Sequence, residues 1–322
     1  MGMGKINKTL VLAILLLGCL PLSAHTAIND TTYYVKPEGN WHIRLRSDLN
    51  GSNLVFTIPY QGDVKGVKAS TGARFKQCIG AGWKNLFLNV GFNPFAKKKD
   101  PELNINIYGN KFGLEANLGL SDTMSGTYAT GIDSGNIVTE VLNPGDLAFV
   151  RGNARAYYAF NWKRFSYSAA KNQNRIQKRS AGSPLVTVEA RWLYMSHMED
   201  TDKIDISKGI MSSIVALGGG YAYNWVPVKN LLVHASLLAN FGLLNNTTIF
   251  DGWTDRNVIR SNTVLSLTGS ASLVYHFKHW YVGAFATSDE LLSLSFASKD
   301  IKDNYLIDYR RSDAHLAIGV RF

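Results

Sequence analysis

Residues 313–322 have the sequence DAHLAIGVRF, and this stretch decides the fold. Its side chains alternate without a break, with Ala314, Leu316, Ile318, Val320 and Phe322 on one face. Strict period-two alternation predicts a β-strand with one apolar face and one small or polar face. A chain that ends on such a strand, closes on Phe and opens with an export leader is typical of an outer-membrane β-barrel.

The N-terminal residues support export. Lys5 and Lys8 precede an apolar run over residues 10–22, and small residues follow at 23–24 and 27. This pattern predicts a signal peptide over residues 1–24, with cleavage up to 27, and one barrel domain over residues 25–322. Residues 16–19 (LLGC) resemble a lipoprotein box that would lipidate Cys19, although the chain stays apolar beyond it. If Cys19 is removed, Cys78 is the last cysteine and no intramolecular disulfide forms.

The same alternation recurs along the rest of the chain. It predicts strands around residues 86–92, 103–107, 112–120, 186–194 and 265–277, with Ser, Thr, Asn and Gly on the faces opposite the apolar ones. Such faces suit a hydrated lumen on one side and lipid on the other. We therefore predict an all-β chain, a transmembrane antiparallel up-and-down β-barrel of about 12 strands, within a range of 10–14.

Short polar corners flanked by aromatic residues support this topology. Corners that contain Lys occur at residues 83–86, 108–112, 162–165 and 277–280. Aromatic residues at strand ends prefer the membrane interface, so we predict periplasmic hairpins at these positions. The pair Asn50 and Gly51 predicts a further two-residue hairpin. The longer polar connections at residues 121–146 and 246–262 are predicted to be cell-surface loops.

Two other fold classes compete with the barrel. Residues 211–228 carry no charge and are long enough to cross a bilayer as a helix, but they contain three successive glycines and Pro227. A water-soluble β-sandwich or barrel would also alternate, but it needs large apolar residues to fill its interior. The faces opposite the apolar ones are small and polar here, which favours the membrane barrel.

One segment does not fit a simple strand map. If residues 162–165 form a periplasmic turn and strands alternate afterwards, the acidic segment around residues 196–208 falls on the periplasmic side. Either that connection is a long periplasmic one, or the basic stretch over residues 171–183 folds into the lumen.

The charge of the chain has a local source. Without Lys5 and Lys8, 32 basic residues face 24 acidic ones, so the mature chain carries about +8. No acidic residue lies between Asp146 and Glu189, whereas eight Lys and Arg residues do. An exported chain does not normally meet nucleic acid, so nucleic acid is excluded as a partner. Lipid phosphates, lipopolysaccharide or anionic solutes are expected instead.

Several stretches resemble one family of Gram-negative envelope proteins that is described only as a domain of unknown function. They are residues 80–93 (GAGWKNLFLNVGFN), 107–112, 157–166 (YYAFNWKRFS), 177–183 (QKRSAGS) and 220–223 (GYAY). The resemblance implies an outer-membrane barrel inserted by the barrel-assembly machinery. It implies no catalytic or binding residue.

For function, the basic run gives the most specific hypothesis. Arg151 and Arg155 alternate with small and apolar residues, so they should face the lumen, as should Arg191. Charges on the lipid face would cost about 2–4 kcal/mol each near the midplane. A narrow pore lined by these arginines would pass small anions. In a plugged barrel these arginines would instead pair with Glu115 or Glu189. A further alternative is a surface-interaction scaffold that acts through the long loops.

A catalytic alternative rests on His234 and Ser236, which are two residues apart on one predicted strand. Barrel lipid hydrolases and deacylases use such a pair, in which the His activates the Ser. Here the alternation turns both side chains towards the lumen, where a hydrogen-bonded polar pair is the simpler interpretation. No spacing predicts a metal site, no cofactor is predicted, and oligomeric state is left open.

Overall fold

The computed structural model describes residues 30–60, 63–97, 100–132, 135–197, 209–250, 256–260, 263–294 and 306–322. The predicted signal peptide and Cys19 lie outside these residues. Within the described part of the chain, no helix has the length and apolar character needed to cross a bilayer.

The described residues form strands and one short helix. In chain order they are β1 Tyr34–Val35, β2 Trp41–Tyr60, β3 Asp63–Ser70, β4 Arg74–Trp83, β5 Leu86–Phe92, β6 Glu102–Tyr108, β7 Phe112–Ser121, β8 Ser125–Thr130, β9 Val138–Leu142, β10 Leu147–Ala159, α1 Tyr167–Lys171, β11 Ile176–Gln177, β12 Ala181–His197, β13 Gly209–Trp225, β14 Leu231–Phe250, β15 Arg256–Arg260, β16 Thr263–His276, β17 Trp280–Leu294 and β18 Leu306–Arg321.

Twelve of these strands close into one antiparallel barrel. The order around the wall is β2, β4, β5, β6, β7, β10, β12, β13, β14, β16, β17 and β18, and β18 pairs with β2 to complete the circle. The C-terminal stretch that decided the fold forms this seam, with Ile318 opposite Leu45 and Leu316 opposite Ser47. The structure confirms the predicted fold class and the strand number of 12.

The outer wall is apolar because the strands alternate as the sequence predicts. Along β5, Leu86, Leu88, Val90 and Phe92 are exposed while Phe87 and Asn89 are buried. Exposed Trp41, Trp83, Trp225 and Trp280 lie at one end of the barrel, beside connections of only two to five residues at 84–85, 109–111, 226–230 and 277–279. We call this the short-turn end, and the opposite one the long-loop end.

The wall rises well beyond a membrane at the long-loop end. Strands β2 and β14 each contain 20 residues, about twice the 9–11 that a spanning strand needs. The far half of β2 pairs with β3, which pairs with β8, which pairs with β9. We call β3, β8 and β9 the sheet extension. The polar connections predicted at residues 121–146 and 246–262 therefore contain strands β8, β9 and β15.

Two predicted hairpins are wrong. Asn50 and Gly51 lie inside β2, opposite Asp313 and Ser312 of β18. Gly51 is needed there because a Cβ would lie 2.9 Å from the Gly72 carbonyl oxygen. The corner at residues 162–165 does not join two wall strands, because Phe165 is fully buried and α1 begins two residues later.

The basic stretch after β10 folds into the lumen, which was one of the two interpretations open from the sequence. Strands β10 and β12 are antiparallel neighbours, so residues 160–180 leave and return at the short-turn end. As a result β12 ends at His197 at the long-loop end, where β13 begins at Gly209. Residues 198–208 lie outside the described residues, but both of their neighbours are at that end.

Candidate functional site

A plug closes the lumen at the short-turn end. We define it as residues 165–177, which include α1 and β11. The hydroxyl of Ser166 caps α1 by accepting from the Ala169 backbone N–H, and β11 pairs with β1 through Tyr34 and Gln177. Burial raises the pKa of Tyr34, which lies outside the spanning strands, to about 12. Its phenol remains a donor and bonds the Trp162 carbonyl oxygen at 2.7 Å.

Side chains of the barrel wall hold the plug by its backbone carbonyls. Arg44 donates to the Lys171 carbonyl oxygen at 3.3 Å, and Arg321 donates to that of Gln173 at 3.2 Å. Asn224 donates to the Ser166 carbonyl oxygen at 2.8 Å from the opposite wall. Lys171 is the last residue of α1 and its carbonyl oxygen lacks a partner within the helix, so Arg44 satisfies a group that burial would otherwise leave unbonded.

An apolar cap fills the lumen at the long-loop end. It consists of buried inward-facing side chains from most of the wall strands, together with residues of the sheet extension and its connections. They are Leu54, Phe56, Val67, Ala69, Met124, Tyr128, Leu142, Leu147, Phe149, Leu193, Met195, Ile210, Ile214, Ala216, Ile249, Val264, Leu291, Ile307 and Tyr309. The inward face of one strand therefore changes character along its length, being apolar within the cap and polar deeper in the lumen.

A polar cavity of about 230 Å³ lies between the cap and the plug. Glu102 is the centre of its first ionic cluster. Its carboxylate lies 3.2 Å from Lys76 Nζ, 2.9 Å from an Arg151 guanidinium nitrogen and 2.8 Å from one of Arg311. Asn117 also donates to it at 2.9 Å. One buried carboxylate thus compensates three cations from three strands.

A second ionic cluster lies beside the first, since β10 contributes Arg151 to one and Arg155 to the other. Glu189 lies 3.1 Å from Arg155 and 2.5 Å from Arg191, and Asp289 lies 2.9 Å from Arg191. Arg155 also approaches Glu115, with 3.8 Å between the nearest nitrogen and oxygen atoms. These pairs bridge β7, β10, β12 and β17, so they connect the wall across the lumen.

The structure brings together the predicted lumen residues. Arg151, Arg155 and Arg191 all line the cavity, and each lies within 4 Å of at least one carboxylate. Glu115 and Glu189 are partners of Arg155, which is the arrangement expected for a plugged lumen. That these arginines contact anions stays a prediction.

His234 and Ser236 face the lumen but bond to different neighbours. His234 Nδ1 lies 2.8 Å from the Asn224 side-chain oxygen, and Ser236 shares a 2.7 Å hydrogen bond with Ser270. Among the described residues no acid bonds to His234, and no hydrogen bond joins it to Ser236. The pair therefore lacks the relay that would activate the serine.

Sequence reasoning missed several residues of the cavity. Arg44, Lys171 and Arg311 line it together with Glu102 and Asp289. The same alternation could have found part of this set, since His42, Arg44, Arg46, Asp48 and Asn50 occupy every second position of β2. Lys171 gave no such indication because the plug has no strand periodicity.

Comparison with protein families identifies the family of this chain. Residues 28–322 match the family model described as "Domain of unknown function (DUF4421)". The chain belongs to this family. The resemblance seen in the sequence is thereby confirmed, and the match spans the whole barrel, the plug and the sheet extension. A search among curated proteins gives no match for this family member.

Solved structures that are similar to this family member are distant. The translocator domain of the autotransporter NalP from Neisseria meningitidis is 10% identical, covers 98% of each chain and has a TM-score of 0.43. The outer membrane protease OmpT from Escherichia coli is 9% identical with a TM-score of 0.45, covering 89% of this chain and 97% of its own. The Pseudomonas putida toluene transporter TodX is 9% identical with a TM-score of 0.29, covering 89% and 91%.

Proposed function

We propose that this protein is an integral outer-membrane barrel with a closed lumen that acts as an interaction scaffold at the cell surface. The single observation that carries the proposal is closure at both ends, by the plug on one side and the apolar cap on the other. A barrel of 12 strands is wide enough for a narrow channel only when side chains leave its interior free. Here two separate layers of side chains occupy it.

The outer wall supports the membrane location. Apolar side chains cover the exterior, and tryptophans collect at the short-turn end, as at a membrane interface. By the usual topology of such barrels, short turns face the periplasm and longer connections face the outside. The wall then contacts outer-membrane lipids and lipopolysaccharide, and the barrel-assembly machinery inserts the closing strand.

The sheet extension supports the scaffold role. Strand β9 pairs with β8 alone among the described residues, so its other edge offers free backbone groups. Ile137, Val138 and Val141 are 60%, 58% and 68% exposed beside that edge. Exposed apolar side chains and an unpaired edge are features of surfaces that bind other proteins.

Surface labelling tests the orientation. Val141→Cys places a thiol on the sheet extension, and Lys278→Cys places one on an exposed short turn. We expect a membrane-impermeant maleimide to label the first variant but not the second on intact cells, whereas both are labelled after lysis. The native Cys78 is buried and should stay unlabelled in either case. Labelling of the short-turn variant on intact cells would reverse the assigned orientation.

Conductance tests the closed lumen. The purified barrel in a planar bilayer should show no steady current. The second candidate function, passage of small anions, is favoured by the basic lining of the cavity, but it requires the plug and the cap to move. If a current appears, replacing Arg151 and Arg155 with Gln should shift its reversal potential towards cations.

We further propose that the chain is not an enzyme. The separate hydrogen bonds of His234 and Ser236 support this, since His234 is not placed to accept the proton of the Ser236 hydroxyl. Ser236→Ala should leave the phospholipid and lipopolysaccharide composition of the membrane unchanged. A loss of lipid cleavage products in this variant would favour the lipid-modifying alternative.

A further inference from the structure

The lumen holds cationic side chains that no carboxylate compensates. Most lumen cations form ion pairs, but within the described residues Arg44, Lys171 and Arg321 have no carboxylate within 4 Å. Each lies over an aromatic ring instead, at 4.2 Å from Phe87, 5.3 Å from Tyr167 and 4.8 Å from Tyr281 respectively. An aromatic face offsets only part of the cost of removing a cation from water. The plug side of the cavity therefore has an excess of positive charge.

Unused donors line the same cavity. Four of the buried arginines that line the cavity have a nitrogen atom without a hydrogen-bond acceptor among the described residues, namely Arg44 Nε, Arg46 Nε, Arg155 Nε and Arg191 NH1. All four side chains line the cavity and are at least nine-tenths buried. Buried guanidinium donors are rarely left without an acceptor, so these four nitrogen atoms are available to a ligand that accepts hydrogen bonds.

We propose that the cavity binds a small oxyanion of the phosphate or sulfate class between Arg44 and Lys171. Both residues line the cavity and both adjoin the plug, since Arg44 donates to the Lys171 carbonyl oxygen. Lys171 Nζ also bonds Ser270 Oγ at 2.8 Å, so a hydroxyl stands beside the ammonium group. Guanidinium, ammonium and hydroxyl groups together match the several oxygen acceptors of such an anion.

The size of the cavity and the ion pairing of its carboxylates agree with this ligand. A volume of about 230 Å³ has room for a tetrahedral oxyanion and some water. The cavity also contains Glu102, Glu115, Asp289 and Asp313, which would repel an anion if they were free. Each of them is within 4 Å of an arginine, and Glu115 also accepts from the Tyr108 hydroxyl at 2.7 Å.

The inference deepens the proposed function, because it rests on a lumen that stays closed. Arg44 and Lys171 connect the wall to the plug, so an anion bound between them neutralises the cations that would otherwise repel each other there. The bound anion thus favours the closed state. A ligand that binds only this state stabilises it in proportion to its concentration and affinity.

Trapping of labelled phosphate during refolding tests the site. Urea-unfolded full-length protein is refolded into detergent micelles with radiolabelled orthophosphate, separated from free label by gel filtration, and normalised to the folded fraction on a heat-modifiability gel. We expect folded wild type to retain phosphate in stoichiometric amount. Lys171→Gln should lower retention at least about tenfold. Lys171→Arg should keep it, and so should Lys278→Gln, which removes an exposed lysine of a short turn.

Competition identifies the class of anion. Excess sulfate during refolding should displace the label, whereas chloride at the same ionic strength should not. Folded wild type that retains no phosphate, a Lys171→Gln variant that retains as much as wild type, or equal displacement by chloride would each overturn the proposal. Steady conductance by a barrel that still retains phosphate would instead contradict the closed lumen and leave the site intact.

Discussion

The Glu102 cluster gives the sharpest test of how the lumen is stabilised. Glu102→Gln keeps the size of the side chain but removes the charge that compensates Lys76, Arg151 and Arg311. Removing one partner of a buried ion pair typically costs about 3–5 kcal/mol, because the remaining charge is left without compensation. Arg311 keeps a distant second carboxylate, Asp313 at 3.8 Å. We therefore expect the lower end of that range, a loss of about 3 kcal/mol in the free energy of unfolding.

The assay is urea unfolding of the barrel in lipid vesicles, followed by tryptophan fluorescence. A loss of about 3 kcal/mol corresponds to a change of more than a hundredfold in the unfolding equilibrium. Glu290→Gln is the matched control, since Glu290 lies 2.6 Å from Arg310, whose side chain is 60% exposed. An exposed pair contributes about 0–1 kcal/mol, so this variant should unfold nearly as wild type does.

A second variant separates charge from packing. Adding Arg311→Gln to Glu102→Gln removes one of the uncompensated cations, so the double variant should recover part of the lost stability. If Glu102→Gln costs no more than Glu290→Gln, the ionic cluster does not stabilise the lumen as reasoned. The same holds if the double variant is no more stable than Glu102→Gln alone.

Three further predictions concern other parts of the barrel. Gly152→Ala should lower the free energy of unfolding by about 1–3 kcal/mol, because its Cβ would lie 1.7 Å from the Trp192 ring. Gly269→Ala is the control and should be nearly neutral, since there is open space around Gly269. Equal effects of the two substitutions would contradict this prediction. Cys78 is 1% exposed, so a maleimide should label it only after unfolding, and rapid labelling of the folded barrel would show that the lumen opens. Phe322→Asp should reduce the assembled fraction in membranes, since it puts a carboxylate in place of a 62% exposed apolar side chain at the end of the closing strand, and normal assembly would argue against a role in insertion.

Much of the barrel wall was predictable because period-two alternation is a direct consequence of a strand between lipid and lumen. It identified β5, β6 and β7 closely and β18 in its C-terminal part, and it turned Arg151, Arg155 and Glu189 towards the lumen. The turns at residues 84–85 and 277–279 followed from the same logic, since exposed Trp83 precedes the first and exposed Phe277 opens the second.

The closed ends were not predictable in this way. The prediction treated every inward face as polar, but on β10 the inward residues change from Leu147 and Phe149 to Arg151 within one strand. Alternation shows which side chains share a face of a strand. It does not show where along the barrel axis the inward face packs against apolar side chains and where it faces water. For the plug, the sequence left folding of the basic stretch into the lumen as one of two interpretations, because its five-residue helix is held by contacts with distant wall residues such as Asn224 and has no strand periodicity.

The seam between β2 and β18 has a consequence for the order of folding. Sixteen residue pairs join a strand near the start of the chain to the strand at its end. Until β18 arrives, β2 and β17 each expose an unpaired edge, and such edges recruit other chains. Contacts so distant in sequence also form slowly, since a long loop must close first. A change that only delays the docking of β18 should therefore appear as aggregation during transit to the membrane, while the completed barrel remains as stable as before.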